Sequence, residues 1–462
     1  MPFRIQTAAG SCEANPCKSV VKTYNREILK LALPNILSNI SVPLISSFDT
    51  ALMGSLGGTH IAAVGLGSMA FNFVYWNFGF LRMGTTGLTA QAYGRGSKED
   101  QAQTLLRGAV LALIIGIALI VLQRPIVTFT EWLLNIRADQ IALVKEYFFI
   151  RVIAAPAALL QMVLLGWFFG RQNAVWPLLI TLAVNAANLS LSYYLVVVSG
   201  WGIAGVAWGT VAAQYLALLL GISFLVYGRW RLQEWPLSRK RLHLRSRQNG
   251  VSLAAFFRIN RDIFIRTVCL TLSFAFFYNR ANALDVGTAT VAANVILLQL
   301  VNWLSYGIDG FAFAAESLVG KYAGAGQPHR LRRVIGLLFA WGMGLAVVYA
   351  LVYWVGDRTL LTLFAPEDSA GETLSMALYY LPVIVVFCLL ATPCYLLDGI
   401  FVGLTAARAM RQTMLLAFAG YLLSYYLLGQ HFGNWGLWGS LVFFMVLRGG
   451  LMGGWMNPVL RQ

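Results

Sequence analysis

Charge is scarce in this chain. Only 11% of its 462 residues are Asp, Glu, Lys or Arg, and acids are the rarer sign, 18 against 34 bases. A soluble globular domain carries about 25%, so the composition excludes one. Histidine is limited to four residues and cysteine to five. Neither shows metal-ligand spacing, and Cys269, Cys388 and Cys394 sit in apolar runs as small buried hydrophobes. Also absent are a Gly-rich loop ending in Gly-Lys-Ser/Thr, an HExxH pair and a serine-hydrolase elbow. No ATP motor is therefore carried, and any active transport has to draw on an ion gradient. No cofactor or metal is expected. The first 27 residues are mixed polar without an apolar core, so no cleaved signal peptide is expected.

What the sequence has is long apolar runs, at 58% hydrophobic residues. They are continuous and not alternating, which argues for helices and against a β-barrel. Twelve spans are predicted, near 29–54, 61–92, 104–123, 141–170, 174–197, 202–227, 252–280, 288–322, 331–355, 373–403, 409–429 and 435–457. The fold class is all-α integral membrane, twelve transmembrane helices in two six-helix pseudo-symmetric lobes. The net charge of +16 would suggest nucleic acid in a soluble protein. Here it lies in short loops and reports topology and contact with anionic lipid, not nucleic acid. Bases crowd before span one and after spans two, six and eight, from Arg4 to Lys30, Arg95 to Arg107, Arg229 to Arg247 and Lys321 to Arg333. That asymmetry predicts both termini in the cytoplasm. It also divides the chain into a cytoplasmic segment 1–28, a first lobe 29–228, a cytoplasmic linker 229–250 and a second lobe 251–462.

The two halves read as repeats. At an offset of 230, Asp49 meets Asn279, Asn72 meets Asn302, and Gly94 and Gly96 meet Gly324 and Gly326. The offset then drifts by a few residues, so that Gly166 and Gly170 meet Gly399 and Gly403. Parallel repeats of this kind place a transport site between the halves. The pairs Gly166/Gly170, Gly320/Gly324 and Gly399/Gly403 have helix-packing spacing and are read as close contacts without chemistry.

Asp49 is the acid of the first span. A charge at mid-membrane costs about 2.5–3.5 kcal/mol even on lenient scales, so it is a functional candidate. Asn35, Ser38, Ser46 and Asp49 share one helical face, which should meet protein or a watery cavity. Pro34 and Pro43 each remove a backbone donor and predict a bend. The second half has acids of its own, Asp309 and Glu316 on one face of span eight and Asp398 in span ten. They are read as coupling groups or as partners of Arg280, Lys321 or Arg408. The many aromatic residues are assigned to interfacial belts, with a subset able to face a flat cation.

At several of these stretches the sequence resembles the multidrug and toxic compound extrusion transporters, in their DinF-like branch. The stretches are LALPNILSNISVPL before Asp49, FLRMGTTGLTAQAYG (Phe80–Gly94) and IRVIAAPA (Ile150–Ala157). To these are added NRDIFIR (Asn260–Arg266), DGFAFAAE (Asp309–Glu316) and LLDGIFVG (Leu396–Gly403). The resemblance implies a monomeric antiporter of the bacterial inner membrane that expels organic cations or drugs. It also implies that Asp49 is protonated from outside and that span one then bends near Pro34. The same lobe of relatives offers an Asn and an Asp in span five and a Thr in span six. These fall on Asn188, Ser192 and Thr210, and Ser192 departs by lacking the acid. Asp49 is then the only embedded carboxylate of its lobe, which favours coupling to H+, with Na+ still possible. Two other readings are a Na+-coupled exporter and a lipid-linked intermediate flippase, for which Arg82, Arg151 and Arg280 could supply a cationic cavity. An intramembrane enzyme would need an acid or His cluster that the sequence lacks.

Overall fold

With no water in a bilayer core, a backbone has to bond to itself, and the apolar runs accordingly resolve into helices. The computed structural model describes residues 16–54, 65, 67, 68, 71, 75–134, 138–232, 251–284, 287–362, 364 and 367–461. Among these residues there is no strand.

The first half comprises α1 (Pro16–Gly54), α2 (Phe80–Gly94), α3 (Lys98–Val121), α4 (Gln123–Leu134), α5 (Ala138–Arg151), α6 (Ala155–Gly170), α7 (Val175–Tyr193) and α8 (Gly202–Leu232). The second comprises α9 (Leu253–Ala283), α10 (Thr288–Gly324), α11 (Pro328–Val355), α12 (Asp357–Thr362), α13 (Glu367–Gly403), α14 (Ala407–Leu427) and α15 (Gly433–Arg461). Eight stretches among the described residues are long and apolar enough to cross a membrane, and they match eight of the predicted spans. Helix α9 carries Arg258, Arg261, Asp262 and Arg266 in its first half, which dilutes its apolar signal.

Three details differ from the sequence expectation. Helix α1 starts at Pro16, well before the apolar run, and Asn25 and Glu27 on it bond to the second half. The fourth span is broken by a 3-10 turn at Val152–Ala154, where Pro156 opens α6. Proline suits the first turn of a helix and cannot continue the one before it. The short helices α4 and α12 were not read from the sequence.

Local chemistry sets the ends. Ser97 caps α3 by accepting from the Asp100 amide at 3.2 Å, with Glu99 and Asp100 in the first turn. Ser252 caps α9 by accepting from the Ala255 amide at 3.1 Å. The turns after α2 and α10 close on Gly96 and Gly326, both left-handed at φ 71° and 64°. They are the pair matched at offset 230. A large buried core fills the second half and takes in Tyr24, Ile28, Leu31 and Ala32 of α1, whereas three smaller clusters lie mainly in the first half among the described residues. Outward faces stay apolar, as at Val121, Leu219 and Val355, which suits a lipid surround.

Candidate functional site

In the first half, a row of neutral polar groups is buried where α1 packs on α7 and α7 on α8. Asn35 is buried and donates to the Leu31 carbonyl at 2.9 Å. Asn185 donates to Ser41 Oγ at 2.7 Å, tying α7 to α1. Asn188 Nδ2 donates to Thr210 Oγ1 at 2.9 Å, and that hydroxyl donates to the Val206 carbonyl at 3.0 Å. Ser192 is fully buried, and Gly209 lies so close that a Cβ there would come within 2.5 Å of its Oγ. Three buried oxygens in this row have no partner among the described residues: Ser38 Oγ, Asn188 Oδ1 and Ser192 Oγ. Buried polar atoms of this kind call for an explanation. Of the residues expected here, Asn188 and Thr210 are brought together, and Asn35 and Ser192 are buried. Pro34 is half-buried in α1, which continues as helix through it. Asp49, Ser46 and Pro43 lie on α1, and their side chains fall outside the described residues.

The acids of the second half found other partners than those expected. Glu316 on α10 is held by Arg82 of α2, whose Nη1 and Nη2 donate to its two oxygens at 3.0 and 3.2 Å. The same guanidinium stacks 3.8 Å above the Phe313 ring. Asp398 on α13 is held by both Arg266 of α9 and Arg448 of α15, all three buried. Asp309 has no hydrogen bond or ion pair to a described side chain. Pairing with Arg280, Lys321 or Arg408 does not occur for any of the three. Lys321 reaches Glu27 of α1 at 3.2 Å, and Arg280 lies over Phe276 and Tyr426. Arg448, inside an apolar span, was the available signal.

The halves meet along α2 and α10, and the contact is reciprocal. A Cβ on Gly94 would strike the Lys321 carbonyl, and one on Gly324 would strike the Gln91 carbonyl. Gly94 and Gly324 correspond at offset 230, and so do Gln91 and Lys321. The other glycine pairs act within a half, Gly166 and Gly170 against α2, Gly399 and Gly403 against α10. Further bonds close this end of the bundle. Gln91 Nε2 donates to the Gly403 carbonyl at 3.0 Å and to Thr405 Oγ1 at 3.1 Å. Gln172 Nε2 donates to the Ser317 carbonyl at 2.8 Å. Nothing in the sequence marked Gln91, Gln172 or Thr405.

Two packed halves, a polar row in one and a charged cluster in the other, make the layout of an alternating-access transporter. Comparison with known proteins agrees. The MatE family profile matches residues 34–194 and 263–428, segments that begin 229 and end 234 residues apart, which is the repeat offset and its drift. The chain is 33% identical to the DNA damage-inducible protein F of Escherichia coli (strain K12), over 94% of this chain and 92% of that one. It is 26% identical to a probable multidrug resistance protein NorM of Rhizobium meliloti (strain 1021), over 77% of this chain and 76% of that one. Its fold superposes on the outward-facing conformation of a multidrug resistance MATE family transporter with a TM-score of 0.84, at 18% identity, over 95% and 96% of the two chains. The Vibrio cholerae MATE transporter VcmN in its bent form gives 0.82, at 20% identity, over 96% and 98%. The twelve-span, two-lobed fold of those structures is the fold of this chain. It belongs to the MatE family of multi-pass membrane transporters, the multidrug and toxic compound extrusion proteins, and is not an enzyme.

Proposed function

We propose that this protein is a proton-coupled antiporter that exports amphipathic organic cations, with Asp49 as the carboxylate that takes up the proton. The observation that carries the reading is the buried neutral row of the first lobe. Ser38, Asn188 and Ser192 keep unpartnered oxygens there, on helices packed with or next to the one that bears Asp49. Such a row can hold water or a cation beside a single acid, and desolvation there would favour the protonated form of that acid. Protonation removes the negative charge that attracts a cationic substrate, and α1 then bends near Pro34. The closed α2–α10 interface supports alternating access. By the distribution of basic loops its end faces the cytoplasm.

The same orphan oxygens favour a second reading, in which they and Asp49 ligate Na+. The flippase reading needs arginines converging on one cavity. Arg82 is instead engaged by Glu316, Arg151 by Tyr147, and Arg280 lies over aromatic rings. A one-for-one exchange of H+ for a monovalent cation moves no net charge, so only the pH gradient would drive it, at about 1.4 kcal/mol or about tenfold per unit.

The test is uptake of a fluorescent cation into reconstituted vesicles under an imposed pH gradient or an imposed Na+ gradient, for wild type and Asp49→Asn. Transport by the pH gradient alone, lost in the variant, is expected. Transport driven by Na+ supports the second reading. A variant that retains pH-driven transport overturns the role of Asp49.

A further inference from the structure

In the second lobe Asp262 is buried beside Arg411 and Arg261. Another cluster, within that lobe or at its contact with α2, holds three cations and three acids: Arg82, Arg266 and Arg448 against Asp309, Glu316 and Asp398. Glu316 is neutralised by the two-pronged grip of Arg82. Asp398 is shared by Arg266 and Arg448, so that group by itself carries one excess positive charge. Asp309 lies within electrostatic reach of Arg82, Arg266, Asp398 and Glu316, yet no described side chain bonds to its carboxylate. The approach is set by Gly399. A Cβ there would collide with the Ala312 carbonyl, and the absence of one lets α13 bring Asp398 against the stretch of α10 that bears Asp309.

Unsatisfied atoms gather in the same cluster. Asp398 Oδ1, Arg266 Nε and Arg448 Nη1 are buried without partners among the described residues, in side chains more than nine-tenths buried. The titratable and charged neighbours among the described residues come from six helices. Glu316 and Tyr306 share α10 with Asp309; α2 gives Arg82, α9 gives Arg266, α11 gives Tyr349, α13 gives Asp398, Cys394 and Tyr395, and α15 gives Arg448. Helix α1 presents the neutral Asn35 and Asn39, the latter donating to the Tyr306 carbonyl at 3.2 Å. Two of the three acids are fixed by direct ion pairs. Asp309 is the one whose charge is balanced only at a distance, and its proton can come and go without breaking a salt bridge.

We propose that Asp309 is a second proton-carrying carboxylate, so that two protons enter for each monovalent cation expelled and the exchange is electrogenic. This rests on the proton-coupled reading of Asp49. With Asp309 ionised the cluster sums to zero. With it protonated the cluster carries one positive charge, which repels a cationic substrate on the outward-open side. The proton leaves to the cytoplasm when the lobes reopen there. Two protons inward against one cation outward moves one net charge per cycle.

The experiment sets a potassium diffusion potential, positive inside, across reconstituted vesicles with equal pH on both sides, and follows a fluorescent monovalent cation. Passive leak runs outward under this potential, and antiport is reversible, so orientation of the protein does not decide the sign. Wild type is expected to accumulate the cation against the potential, up to about 50-fold per 100 mV, the equivalent of about 2.3 kcal/mol for one charge. Asp309→Asn is expected to lose that response and keep about tenfold accumulation per pH unit. Asp309→Glu is expected to keep both. Wild type that responds to the pH gradient and not to the potential is electroneutral, which overturns Asp309 and leaves Asp49 standing. So does an Asp309→Asn protein that still responds to the potential. Wild type that responds to neither gradient overturns the proton reading and this inference with it. The wild-type measurement decides the stoichiometry even if the Asn variant fails to fold.

Discussion

Gln172 and Thr405 hold left-handed backbone at corresponding places in the two halves, with φ of 62° and 53°. Each stands two residues past the second glycine of its packing pair, Gly170 and Gly403. Each also bonds across the lobe interface, Gln172 to the Ser317 carbonyl and Thr405 to Gln91. A side chain in this conformation costs about 1–3 kcal/mol and persists where its surroundings fix it.

The usual order of substitutions should therefore invert at Gln172. Gln172→Ala loses the cross-lobe hydrogen bond and keeps the strain. Gln172→Gly loses the same bond and relieves the strain. The glycine variant is expected to be more stable than the alanine variant by about 1 kcal/mol, read as thermal midpoint in detergent. Alanine equal to or above glycine would show that the turn is not strained.

Gly399 and Gly344 offer a contrast within one lobe. A Cβ at Gly399 runs into the Ala312 carbonyl, whereas one at Gly344 meets nothing within 4 Å. Gly399→Ala is expected to cost about 1–3 kcal/mol through forced separation of α10 and α13. Gly344→Ala should be neutral or stabilising, since alanine is the better helix former by about 1 kcal/mol. Comparable losses in both would mean that backbone approach is not what Gly399 provides.

Much of this architecture was legible in the sequence. Glycines at four-residue spacing pointed to close helix contacts, and they make them. Ordered matches at one offset pointed to a repeat, and Gly94 with Gly324 realise it as a reciprocal contact. The acids Glu316 and Asp398 stood out because charge is rare in apolar runs. Their partners did not, because they lie 234, 132 and 50 residues away, and no local pattern joins positions so far apart. Arg82 was read only as a possible cavity cation, and Arg266 only as part of a resembling stretch. The break at Pro156 was hidden for a different reason: the apolar run continues through it, and hydropathy does not register a turn made of Val, Ile and Ala.

Asn294 and Asn434 form a second joint invisible to local pattern. Asn294 Nδ2 donates to Asn434 Oδ1 at 2.7 Å, Asn434 Nδ2 returns to Asn294 Oδ1 at 3.0 Å, and Trp438 Nε1 adds a third bond at 2.8 Å. All three side chains are buried. Asn294→Leu strands an amide and an indole N–H, at about 1–3 kcal/mol each. The thermal midpoint should fall markedly, and Asn294→Leu with Asn434→Leu should recover part of the loss. A double variant no better than the single would place the defect in packing and not in the stranded donors.

The Arg82–Glu316 pair is the contact whose loss should alter access and not only stability. The glutamate side chain is 2% exposed and the arginine 15%, so breaking the pair leaves a charge largely shielded from water, at about 3–5 kcal/mol. That cost falls on the closed arrangement. When the lobes part, water reaches both groups and the penalty lapses. Glu316→Gln should therefore shift the population toward opening at this end. Even about 1.4 kcal/mol of such a shift is tenfold in the open fraction. Access can be read at Ala90→Cys, a buried position facing Gly320 across the interface, after Cys12 and Cys17 are changed to serine. Labelling by an impermeant maleimide should rise about tenfold or more in Glu316→Gln. It should fall back when Arg82→Met and Glu316→Leu are combined, because no charge is then left stranded. Labelling of the single variant at the parental rate would show that the Gly94–Gly324 contact holds the lobes together without help from the ion pair.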